Sequence, residues 1–60
     1  MSKRAVDAVF QGLFLLTDLR VLLRESVPDH ELDFDQQKKA EMIIKKLEKQ
    51  INILKQEIIQ

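Results

Sequence analysis

Sixty residues with ten Lys+Arg, ten Asp+Glu, one histidine and no cysteine exclude disulfide staples, thiolate metal sites and thiol chemistry, and leave no second imidazole for a zinc cluster. A chain this short buries only about 60% of the surface it exposes when unfolded, so its core is marginal unless a partner chain completes it. Its composition, 45% hydrophobic and 33% charged, is that of a foldable chain rather than a disordered one.

The N-terminal half is a greasy segment. Lys3 and Arg4 precede an apolar run that Asp7, Gln11, Asp18 and Arg20 interrupt, so it falls short of the about 20 mostly apolar residues of a membrane span. No small-residue cleavage site follows. The expectation is a mature, soluble chain, and the lack of cysteine fits a reducing cytoplasm. Gly12 is an isolated glycine, and the first strong breaker is Pro28. Proline disfavours the helical region at the residue before it, here Val27, which predicts a first helix over about 2–26. On that helix Arg4, Asp7, Gln11, Asp18 and Glu25 make a narrow polar stripe, and the remainder is mostly apolar.

A hinge over about 27–33 follows, and Asp33-Phe-Asp-Gln36 has the form of a capping box that opens a second helix over about 33–59. Asp35 is the competing cap. From there no Gly or Pro intervenes. The two segments are of nearly equal length, which an antiparallel hairpin requires. In the second helix Ala40, Ile44, Leu47, Ile51, Leu54 and Ile58 follow alternating steps of four and three, a heptad stripe. Ile43 widens it, while Met42, Ile53 and Ile59 lie outside it. Ile at one heptad position and Leu at the other is also the combination of parallel two-stranded coiled coils, whereas the hinge favours a hairpin; both topologies stand at this point.

Helix 2 of the same chain covers only part of so apolar a first helix, and a large exposed apolar patch predicts association. The predicted fold is an all-α antiparallel helical hairpin, a single domain over 1–60 that dimerises into a four-helix bundle. Val9, Leu13, Leu16 and Leu23 are the core candidates of helix 1, against Ile44, Leu47, Ile51, Leu54 and Ile58 of helix 2. The predicted dimer or partner interface comprises Phe10, Leu13, Phe14 and Leu22 with Ile44, Leu47, Ile51, Leu54 and Ile58.

The stretch Glu31-Leu32-Asp33-Phe34-Asp35-Gln36 between two equal helices resembles the turn of the Rop family, the plasmid RNA-one modulator proteins. That resemblance implies a homodimeric antiparallel four-helix bundle whose first helices hold two pairing RNA loops together through lysines, amides and a central phenylalanine. Lys3 and Phe14 stand where the family has its first Lys and its Phe. Phe10 stands in place of an Asn and Asp18 in place of a Gln, and the hinge holds about three extra residues around Pro28 and Asp29.

Catalysis and metal binding find little to work with. Asp29, Glu31, Asp33 and Asp35 alternate as calcium loops do, but Phe34 and Ala40 occupy the positions where such a loop needs its glycine and its bidentate glutamate. Those carboxylates are expected to face solvent and to favour the positive end of helix 2. His30 is expected to be an exposed loop residue, its one conceivable role a pH sensor among carboxylates. Ser2, Thr17 and Ser26 are the hydroxyl candidates, with no paired base and no glycine-rich oxyanion or phosphate loop. Six lysines on helix 2 face only Glu41, Glu48 and Glu57, yet the pattern lacks the arginines and aromatics of a nucleic-acid surface.

The predicted function is that of a small non-enzymatic regulator or adaptor acting by protein–protein contact as a homodimer. It needs no cofactor, metal or small-molecule substrate, and its partners are itself and another protein. Two alternatives stand beside it. One is a Rop-like RNA-binding regulator using Lys3 and Phe14; the other is an obligate small subunit or co-chaperone whose helix 1 lies in another protein's groove.

Overall fold

A computed structural model of the chain describes residues 2–26 and 31–59. The expectations placed on Val27, Pro28, Asp29 and His30, the hinge proline and the pH sensor among them, lie outside the described residues. Two helices are present: α1 (Lys3–Glu25, 23 residues) and α2 (Phe34–Ile58, 25 residues). They pack side by side as an all-α helical hairpin, and the described residues contain no strand. At about 1.5 Å of rise per residue these helices are about 35 and 38 Å long, which accounts for a particle of 41 × 15 × 13 Å.

Each helix starts where a side chain replaces its missing backbone partners. Ser2 caps α1, its Oγ accepting the Ala5 N–H at 3.1 Å. Of the two candidate caps for α2, Asp33 holds the position: its carboxylate accepts the Gln36 N–H at 2.8 Å, and the Gln36 side chain accepts the Asp33 N–H at 3.0 Å. Asp35 falls instead in the first turn, where a negative charge suits the helix dipole. Gln37 donates its side-chain amide to the Leu32 carbonyl at 3.1 Å, drawing the preceding strand of loop onto the helix. At the far end of α1, the Ser26 hydroxyl and N–H both donate to the Leu23 carbonyl, at 2.6 and 3.2 Å.

The seam between the helices is narrow and built from small residues at one end. On α1 it runs through Ala5, Ala8, Gly12, Leu15, Leu19 and Leu22, at alternating steps of three and four. On α2 it runs through Gln36, Ala40, Ile43, Leu47, Gln50, Leu54 and Glu57. Among the described residues Ala5, Ala8, Leu22 and Ala40 are the buried apolar ones, and no large side chain is fully enclosed. Gly12 lies against Leu47: a Cβ built on Gly12 would stand 3.6 Å from the Leu47 Cδ1.

This seam corrects the expected pairing of faces. Val9, Leu13, Leu16 and Leu23 were the expected core of helix 1, yet all four are exposed, as are Ile44, Ile51 and Ile58 across from them. Ala40, Leu47 and Leu54 are common to the expected and the observed stripe of α2. Leu22, expected at a dimer or partner interface, is buried at 6% exposure inside the hairpin. On α1 the physical reason is charge: the outer line includes Arg20, whose burial in the seam would be costly, whereas the line Ala5, Ala8, Gly12, Leu15, Leu19 and Leu22 carries no charge.

Candidate interaction surfaces

The exposed bulky residues are not scattered. Val6, Val9, Leu13, Leu16 and Leu23 recur along α1 at heptad spacing, with Arg20 as the one charged member of the line. Ile44, Ile51 and Ile58, seven residues apart, form the matching line on α2. Between the two lines runs a groove of about 390 Å³ lined by Ala8, Val9, Gly12, Leu13, Leu16, Leu47, Gln50, Ile51 and Leu54. Gln50 is its sole polar lining residue. Thus Leu13, Leu47, Ile51 and Leu54 of the expected interface are brought together on one face, and Ile44 and Ile58 extend the same line on α2.

The opposite side of the hairpin has a different character. A second groove, of about 350 Å³, is lined by Leu15, Asp18, Val21, Leu22 and Glu25 of α1 and by Lys39, Met42, Ile43 and Lys46 of α2. It combines apolar side chains with charges of opposite sign, acidic on α1 and basic on α2. These charges carry no ion pair: among the described residues the salt bridges are Arg4–Glu57 at 3.8 Å and Lys45–Glu41 at 3.5 Å.

The back of α1, turned away from α2, carries Phe10 and Phe14, at 54% and 64% exposure. They stand apart from the apolar groove, so the expected interface divides into two surfaces, with Leu22 in neither. Lys3 and Phe14 are eleven residues apart, close to three helical turns, so the expected nucleic-acid pair does share one strip of helix. Asp7 and Asp18 flank that strip, and both are exposed. Phe34, the third phenylalanine, is exposed at the start of α2 with the Lys38 ammonium 4.7 Å from its ring centre, a cation–π contact that sequence spacing of four residues foreshadows.

Among the described residues no three His, Cys, Asp or Glu side chains converge as a metal site would require, and no helix is long and apolar enough to cross a membrane. Comparison of the chain with protein-family models, with curated proteins and with solved structures finds no match.

Proposed function

We propose that this chain is a small non-enzymatic adaptor or regulator that works as a homodimer, two hairpins closing into a four-helix bundle through their apolar grooves. The observation that carries this reading is area. A compact protein of 7.1 kDa exposes about 4,100 Å², whereas this hairpin exposes 5068 Å². A dimer packed to ordinary compactness exposes about 6,800 Å², so two hairpins at 5068 Å² each would bury on the order of 3,400 Å² between them, the size of an obligate homodimer interface. The surface lost would be the Val9, Leu13, Leu16 and Ile51 face, whose single polar lining residue makes it costly to leave in water.

Placing a charge on each face tests this. Leu13→Asp combined with Ile51→Asp puts carboxylates into the groove and yields a monomer in sedimentation equilibrium, while Phe14→Asp on the back of α1 leaves the dimer intact. Equal mass for all three proteins would overturn the reading. A monomeric parent chain with little helix would instead favour the obligate-subunit alternative.

One observation supports a second reading, an RNA-binding regulator in the manner of the Rop family: Lys3 and Phe14 share an exposed strip of α1. Asp7 and Asp18 beside that strip oppose phosphate. Binding to a pair of complementary RNA stem-loops that weakens steeply with salt, and that is lost in Lys3→Ala, would support this second reading.

A further inference from the structure

The groove that carries opposite charges has properties that a merely solvated flank does not require. Asp18 and Glu25 are seven residues apart on α1, and Lys39 and Lys46 are seven apart on α2. Asp18, Glu25 and Lys46 have no opposite charge three or four residues away on their own helix, the spacing at which a helix pairs its own charges. None of the four lies within 4.0 Å of a counter-ion among the described residues. Val21 and Met42, 50% and 60% exposed, line the same groove on the outer side of these charges, and Leu15, Leu22 and Ile43 line it toward the seam. The span from Leu15 to Glu25 is close to three helical turns.

We infer that this groove docks an amphipathic helix of a partner protein, a helix with an apolar seam, basic residues along the edge that meets α1 and acidic residues along the edge that meets α2. The seven-residue repeat of each charged row matches the heptad repeat of such a helix, so one seated helix meets the like-placed charge on every second turn. Opposite signs on the two rows also fix its direction, because reversing the helix places like charges together. A nucleic acid would meet the Asp18 and Glu25 row with its phosphates, which the groove repels. The site lies within one chain and does not depend on the self-association proposed above; if both hold, the dimer presents it twice.

The test uses the full chain and a fluorescent 18-residue peptide with leucines along one face, lysines along one flank and glutamates along the other. The expected result is saturable binding of one peptide per chain, retained in Leu13→Asp, which bars the apolar groove by charge. Reversing one row with Lys39→Glu and Lys46→Glu weakens binding by about tenfold, and a peptide with lysines on both flanks then binds this variant better than it binds the parent. Lys39→Gln and Lys46→Gln, which remove charge without reversing it, give an intermediate loss. Binding abolished by Leu13→Asp would place the peptide on the other face and overturn the inference. So would equal affinity for the parent and the reversed variant, since that is apolar adsorption alone. A change of oligomeric state in Lys39→Glu/Lys46→Glu would show a second copy of the chain covering the groove, and would overturn it as well.

Discussion

Ser2 and Glu57, 55 residues apart in sequence, are joined at the open end of the hairpin: the Ser2 hydroxyl donates to a Glu57 carboxylate oxygen at 2.7 Å. The same Oγ accepts the Ala5 N–H, so one small side chain both starts α1 and ties it to the last turn of α2. Arg4 adds a longer contact to the other Glu57 oxygen at 3.8 Å. Ser2→Ala removes the cap and the tie together and is expected to cost about 1 kcal/mol, the size of a lost N-cap. Thermal unfolding at fixed protein concentration measures it, and Ser2→Asp, which can cap but faces Glu57 with a like charge, recovers only part of the loss.

The start of α2 depends on Asp33 in a similar way, but there the reciprocal bond to Gln36 stays local. Asp33→Ala leaves the Gln36 N–H with water alone and is expected to lower stability by about 1 kcal/mol. Asp33→Asn, which keeps the accepting oxygen, should retain most of that stability; circular dichroism melts of the two variants separate capping from net charge.

Gly12 is a glycine in the interior of a helix, where the missing side chain costs about 1 kcal/mol relative to alanine. Its site has room, since a Cβ there meets the Leu47 Cδ1 at 3.6 Å, an ordinary contact. Gly12→Ala is therefore expected to raise the melting temperature. A fall would mean that the two backbones draw closer at this point on association than the hairpin alone requires.

Adjacent leucines near the end of α1 would separate folding from the proposed association. Leu22 is buried in the seam, while Leu23 is 46% exposed on the line of Val9, Leu13 and Leu16. Leu22→Ala is expected to cost about 2–3 kcal/mol through the cavity it leaves. Leu23→Ala is expected to weaken self-association while sparing the helical content of the hairpin, which sedimentation and circular dichroism report independently.

Residue patterns located both helices to within a residue or two, because Pro28, the capping box of Asp33 and Gln36, and the absence of breakers after it are local signals. Which side of each helix turns inward was not legible. On α1 two stripes satisfy the same three-and-four spacing: Ala5, Ala8, Gly12, Leu15, Leu19, Leu22 and, beside it, Val6, Val9, Leu13, Leu16, Arg20, Leu23. The second holds the bulkier side chains, and the charge of Arg20 within it favours leaving that side in water. On α2 the observed seam includes Gln36, Gln50 and Glu57, partly buried polar side chains that hydrophobic patterning passes over. The opposite charges of the second groove are not legible in the sequence for a related reason. Asp18 and Lys46 belong to different helices, and their juxtaposition follows only once the seam is known.

The self-association of this chain is the claim on which the proposed function rests, and dilution addresses it most directly. Light scattering behind a size-exclusion column over a hundredfold range of concentration, with helical circular dichroism on the same fractions, is predicted to give a highly helical dimer that keeps its mass and its helix as it is diluted. A monomer, or a chain that loses its helix or aggregates when alone, would contradict the account and assign the Val9, Leu13, Leu16 and Ile51 face to a different protein.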